Sequence, residues 1–141
     1  MRSFYGITLV FMVISQLSCS GDAGNPDMRQ SAEKALQDGR SALEQGQFEQ
    51  AFVYFGQATE GGLNADLYSD ALVHHAVAAI HLEKFDEAQA DFERLDQGAT
   101  NMDQVFAAKS FLALKQGKKT EASRYWQQAV RANPKVKKYS P

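Results

Sequence analysis

Apolar residues recur every three or four positions through most of the chain, and short polar breaks separate these stretches. This spacing is typical of amphipathic helices, whereas a half-buried strand alternates at every second position. Ser31 caps the first stretch, Asn64 or Asp66 opens the third, and Asn101 with Gln104 forms a capping box before the fifth. The pattern predicts six helices, at about 31–45, 48–60, 64–83, 85–96, 101–116 and 119–132.

One unit of sequence occurs three times. Its reference position is an alanine, and the three alanines are 37 and 34 residues apart. Each alanine is followed four residues later by an aromatic residue and is preceded twelve residues earlier by a small one. A period near 34 residues, with small side chains where two helices cross, predicts helix-turn-helix repeats. The alanines are Ala51, Ala88 and Ala122, the aromatic residues are Phe55, Phe92 and Trp126, and the small residues are Gly39, Ala76 and Ser110.

This triple pattern resembles the tetratricopeptide repeat family, with units at about 32–65, 69–102 and 103–136. In the third unit Asn133-Pro134 falls where the family places its closing proline. The sequence departs from the family one place before the small residue, where the usual Leu or Tyr is replaced by Asp38, His75 and Lys109. The resemblance implies an all-α protein, a right-handed superhelical stack of three tetratricopeptide-like helical hairpins, followed by a short tail at 137–141.

The resemblance also implies a concave groove lined by the first helix of each hairpin, which would receive an extended peptide or a helix of a partner. Its predicted surface has an apolar floor with charges of both signs at the edges. The residues expected to line it are Glu33, Leu36, Arg40, Glu44, Asp70, Val73, Val77, His81, Gln104, Ala107, Phe111 and Lys115.

Two interpretations of these groove positions stay open. Leu36, Val73 and Val77 could equally pack between helices and never meet a partner. Arg40, Phe111 and Lys115 are favoured as binding residues, because arginine and aromatic side chains are enriched among those that carry binding energy.

The first 19 residues predict a signal peptide. A positive start at Arg2 precedes an apolar run about half as long as the ~20 residues that a membrane-spanning helix needs. The run ends at Cys19, the single cysteine of the chain. Ser18-Cys19 resembles the lipobox of bacterial lipoproteins, which implies a lipid on Cys19 and, with Ser20 next to it, the outer membrane.

Cleavage by an ordinary signal peptidase at a small-x-small pattern is the alternative, and it would release a soluble periplasmic or secreted protein. Residues 20–30 are rich in glycine and polar residues, with Pro26 among them, and predict a flexible tether.

Charge and motifs narrow the function. The formal net charge of −2 gives no electrostatic reason to expect nucleic acid as a partner. His74 and His81 share a helix face but lie two turns apart, roughly 10 Å along the axis, which is too far for one metal ion. His75 offers no second ligand at metal-binding spacing, and the sequence contains no phosphate loop or nucleophile elbow. We therefore expect no catalytic residue, no cofactor and no metal.

The sequence predicts a scaffold that binds another envelope protein in its groove. A structural homo-oligomer that assembles through exposed helix edges is the alternative. A carrier of a small ligand or metal on the His74 to His81 face is a remote third hypothesis.

Overall fold

The computed structural model describes residues 25–140, which contain six α-helices and no strand. The all-α prediction is confirmed for this part of the chain, and each helix lies within a few residues of its predicted position. The helices are α1 (Pro26–Glu44), α2 (Phe48–Glu60), α3 (Ala65–His81), α4 (Phe85–Leu95), α5 (Met102–Lys115) and α6 (Lys119–Ala132).

The largest difference from the prediction is the start of α1. The helix begins at Pro26, and the side chain of Asn25 accepts a hydrogen bond from the backbone N–H of Asp27 at 3.0 Å. Proline is favoured in the first turn of a helix because its missing N–H would have no partner there. Asn25 therefore caps the helix in place of Ser31, and residues 26–30 of the predicted tether are helical.

The other two predicted caps have different outcomes. Asn64 caps α3, since its side-chain oxygen accepts a hydrogen bond from the N–H of Leu67 at 2.9 Å. Asn101 precedes α5, but its side chain makes no capping hydrogen bond, so the predicted capping box with Gln104 is absent. The side-chain oxygen of Asn101 is instead buried without a hydrogen-bond partner among the described residues.

The helices pack as three consecutive hairpins, α1 with α2, α3 with α4, and α5 with α6. Each hairpin closes with the same three-residue turn, whose middle residue has a positive φ: Gly46 (72°), Glu83 (59°) and Gly117 (74°). This left-handed conformation ends a helix at little cost when the residue is glycine. In the middle hairpin this position is Glu83, whose side chain makes the left-handed conformation less favourable than it is for glycine.

Small residues lie where the two helices of a hairpin cross, as the repeat pattern predicts. A Cβ atom on Gly39 would come within 2.8 Å of the buried Phe55 ring. In the third hairpin the hydroxyl of Ser110 donates a hydrogen bond to the carbonyl of Ala122 at 2.9 Å. The recurring small residue therefore sets how closely the two helices approach.

The first helix of each hairpin lies beside the next, because α3 contacts both α1 and α5. We call the side that these three helices share the inner face. Two apolar clusters form the core, one centred on the first hairpin with Phe55 and one on the second and third with Phe92 and Phe111. The handedness of the stack stays a prediction.

Candidate functional site

The structure divides the twelve predicted groove residues into two groups. Five have their side chains in the core, so the packing interpretation applies to them: Leu36, Val73, Val77, Ala107 and Phe111. The other seven are exposed or half-buried and available to a partner: Glu33, Arg40, Glu44, Asp70, His81, Gln104 and Lys115. The predicted apolar floor is thus the core itself, and the accessible surface is mainly polar and charged.

The end of the chain turns back onto this surface. Asn133 follows α6 in an extended conformation, as expected for a residue that precedes proline. Its side-chain amide donates a hydrogen bond to the Asp103 carboxylate at 2.8 Å, and its side-chain oxygen accepts one from the N–H of Lys135 at 2.9 Å. This turn directs residues 134–140 toward the start of α5. From here on we call residues 134–140 the tail, a longer segment than the tail predicted from the sequence.

The tail brings Tyr139 to the inner face. Its ring lies 6.4 Å from the Phe111 ring and packs against the larger core cluster. Burial raises the pKa of the Tyr139 hydroxyl above its usual range, and the negative charges of Asp70 and Asp103 raise it further. The phenol therefore stays protonated.

A cavity of about 400 Å³ remains between the tail and the helices. We call its helix-borne wall the tail pocket; it consists of Arg40, Asp70, His74, Asp103 and Gln104. Three of these residues were predicted to line the groove, whereas His74 and Asp103 were not. The volume is in the range of small-ligand and side-chain pockets.

Asp70 organises the charges of the tail pocket. Its carboxylate lies 2.7 Å from the Arg40 guanidinium and 3.3 Å from the Nδ1 atom of His74. Burial alone would raise the pKa of Asp70, but hydrogen bonds and charge from His74 and Arg40 outweigh it and hold the pKa below its usual value. Asp70 is therefore ionised, and its negative charge offsets that of Arg40.

An aromatic row lies beside the tail pocket. The His81 ring stacks on Phe48 with centroids 3.9 Å apart and planes 4° apart, and its other neighbour, Phe111, is 4.9 Å away. The ammonium group of Lys115 lies 6.0 Å from the Phe111 centroid. Burial lowers the pKa of His81, and the positive charge of Lys115 lowers it further. The row connects α2, α3 and α5.

The other two histidines also stack on phenylalanines of α2. The His74 ring lies 5.4 Å from Phe55, and the His75 ring lies 4.2 Å from Phe52. His75 Nδ1 also lies 2.6 Å from the buried carboxylate of Asp91 on α4. Within residues 25–140 no three histidine, cysteine or acidic side chains are grouped as metal ligands. All three histidine rings of α3 therefore pack against α2.

The tail residues that line the inner face are not among the residues predicted from the sequence. Tyr139 lies outside every repeat and every helical period, so nothing in the repeat pattern selects it. The signal that could have found it is Asn133-Pro134, which prevents α6 from continuing and favours a turn, with apolar Val136 and Tyr139 soon after. A turn followed by apolar residues predicts a segment that packs back.

Comparisons with protein-family models, with curated proteins and with solved structures found no match to this chain. Among residues 25–140, no helix is both long and apolar enough to cross a membrane. The predicted signal peptide and Cys19 lie outside the described residues.

Proposed function

We propose that this chain is a non-catalytic, exported adaptor of the tetratricopeptide repeat type, which binds a segment of another protein of the bacterial envelope on its inner face. The observation that carries the proposal is the seating of the tail: a non-helical segment already lies on the face formed by α1, α3 and α5. Repeat surfaces of this type commonly receive extended peptides.

The chemistry of the face supports a peptide as the partner. Charges of both signs, Asp70 and Arg40 among them, surround the cavity, and Tyr139 of the tail contacts the buried Phe111 ring beside it. A polyanion would need a surface of one sign, and this face has none. The arrangement suits a short segment that combines polar side chains with one apolar side chain.

The envelope location rests on the sequence of the leader. We propose that Cys19 becomes the first residue of the mature protein and carries the lipid. Mass spectrometry of the protein purified from membranes tests this: we expect an acylated species that begins at Cys19, and a Cys19→Ala variant without the added acyl mass. An unmodified mature protein that begins elsewhere would contradict it.

Site-specific crosslinking in intact envelopes tests the adaptor function. A photoreactive residue at Gln104, on the inner face, is compared with one at Glu93, an exposed position on α4. We expect a specific adduct with one other protein from position 104 and none from position 93. Adducts with copies of the chain itself would favour the homo-oligomer, and identical products from both positions would contradict the proposal.

A charge-reversed pair of variants sharpens this test. Glu44→Lys with Lys115→Glu alters the inner face, and Glu93→Lys with Lys119→Glu makes the same change of charge on other helices. We expect only the first pair to lose the adduct. Phe111 is unsuitable for substitution because its side chain is buried in the core, where truncation would cost about 3–5 kcal/mol of stability.

A further inference from the structure

We infer that the tail pocket selects a tyrosine presented by an extended, lysine-flanked segment, and that the chain's own tail is an exchangeable occupant of it. This inference rests on the proposed function, because it defines the kind of partner that the inner face accepts. The partner's segment would have to displace the tail in order to bind.

The tail lies on the inner face as a non-helical segment. Beyond the turn at Asn133 its described residues contain no helix, and Lys135 and Val136 line the cavity. Lys137 and Tyr139 line the cavity, whereas the ammonium group of Lys138 lies 5.4 Å from the Trp126 ring on α6. The segment therefore presents one tyrosine inward and places a lysine on the opposite side.

The surroundings of Tyr139 distinguish tyrosine from other side chains. Phe111 provides an aromatic contact for its ring, and the carboxylates of Asp70 and Asp103 line the same cavity as Tyr139. An uncharged phenol can donate a hydrogen bond toward a carboxylate, which phenylalanine cannot do. An acidic side chain would be repelled. The pocket thus favours a protonated phenol over an apolar or acidic group.

The charge of the pocket explains the flanking lysines. Arg40 is paired with Asp70, which leaves the carboxylate of Asp103 as excess negative charge on the wall formed by the helices. Lys135 and Lys137 line the same cavity from the tail. A segment with lysines near its tyrosine therefore matches the pocket in charge.

The tail is held in a way that permits exchange. Its three lysines are exposed, and it lines a cavity of about 400 Å³ together with the helices. Its described hydrogen bonds lie at the turn: from the Asn133 amide to Asp103, from the N–H of Lys135 to the Asn133 side chain, and from the N–H of Val136 to the Asn133 carbonyl. Because the tail is covalently attached, its effective concentration at the pocket is on the order of millimolar, so it competes with any free segment.

Peptide binding to the full-length chain tests the inference. The probe is a fluorescent peptide with the sequence of residues 134–140, and its binding is measured by anisotropy. We expect Tyr139→Ala to bind this peptide about tenfold or more tightly than the wild-type chain, because the competing side chain is gone. Tyr54→Ala is the matched control: the same change on α2, away from the tail, leaves binding at the wild-type level.

Peptide variants test the choice of tyrosine. With the Tyr139→Ala chain, alanine in place of the peptide's tyrosine should weaken binding about tenfold or more, and phenylalanine should weaken it less. Equal affinity for the tyrosine and alanine peptides would overturn the inference. So would equal binding of the peptide by the wild-type and Tyr139→Ala chains.

A second variant keeps the test valid if Tyr139→Ala loses helix content by circular dichroism. Asn133→Ala removes the two side-chain hydrogen bonds of the turn and leaves Tyr139 in place, so it should also raise peptide affinity, by a smaller factor. No increase in peptide affinity with a folded Asn133→Ala chain would count against exchange.

The crosslinked adduct from position 104 distinguishes this inference from the proposed function. An adduct without peptide binding would overturn this inference alone, and the absence of an adduct would overturn the adaptor function.

Discussion

The two junctions between consecutive hairpins are built differently. At the first junction α2 lies against α3, and three phenylalanines of α2 stack on three histidines of α3. At the second junction α4 and α5 contact each other less extensively. The described polar contact between them is the ion pair of Lys109 with Asp96, at 2.7 Å, and a cavity of about 200 Å³ lies beside it.

The difference shows what fastens the third hairpin. α5 also contacts α3 on the inner face, where Phe111 packs against His81. The tail then covers the same place, through Tyr139 on Phe111 and through the hydrogen bond of Asn133 with Asp103. The first junction is thus closed by its own helices, whereas the second depends in part on a segment that a ligand could replace.

The largest expected effect compares two aspartates, Asp91 within α4 and Asp96 directly after it. The buried Asp91 bonds His75, which stacks on Phe52, whereas the Asp96 carboxylate is half exposed. Asp91→Ala should cost about 3 kcal/mol of unfolding free energy, because His75 loses its buried partner. Asp96→Ala should cost less than about 1 kcal/mol. Urea unfolding measures both, and equal costs would remove the contrast between the junctions.

The next effect compares two glycines. A Cβ atom on Gly39 would press on the Phe55 ring at 2.8 Å, whereas a Cβ atom on Gly98, between α4 and α5, meets nothing within 4 Å. Gly39→Ala should therefore destabilise the chain by about 1–3 kcal/mol through overpacking. Gly98→Ala should be close to neutral. Thermal unfolding measures both variants. An unchanged melting temperature for Gly39→Ala would show that α1 and α2 do not approach each other closely at Gly39 and Phe55.

The smallest expected effect is a dependence of folding stability on pH through His81. The His81 ring contacts Phe48 of the first hairpin and Phe111 of the third. Its pKa is lower in the folded chain than its ordinary value of 6.5, because of burial and then Lys115. Below pH 6.5 the unfolded chain takes up this proton more readily than the folded one. The contribution of His81 to stability is therefore full above pH 6.5 and declines as the pH falls toward its folded pKa.

Two-dimensional NMR of the histidine ring checks this assignment. Lys115→Gln removes the neighbouring positive charge and Phe48→Ala reduces burial, so each should move the pKa of His81 upward. Lys119→Gln, an exposed position on α6, is the control and should leave it unchanged. If neither test substitution changes the pKa of His81, the His81 ring is solvated and this account of its pKa is wrong.

Periodicity and the repeat were sufficient to predict the helices and the small residues at their crossings. Gly39 and Ser110 were selected because a close approach of helices tolerates little else, and that constraint is visible in one dimension. The start of α1 differs from its prediction because Asn25-Pro26, which lies in a stretch rich in glycine and polar residues, acts as a helix-start signal.

The candidate site was less predictable, since it depends on which faces meet. Phe111 and Val77 have the spacing of an inner stripe, and only packing shows that they are covered. The pairing of Phe48 with His81 depends on the register between α2 and α3, which the sequence of neither helix contains. Tyr139 reaches the inner face through a turn, so helical periodicity carries no information about it.

Amide hydrogen exchange of the full-length wild-type and Tyr139→Ala chains tests most directly the claim that the tail fastens the third hairpin. We predict faster exchange in α5 and α6 of the variant, with α1 and α2 unchanged, because local opening follows the loss of local contacts. A uniform change over all six helices, or no change in α5 and α6, would contradict the claim.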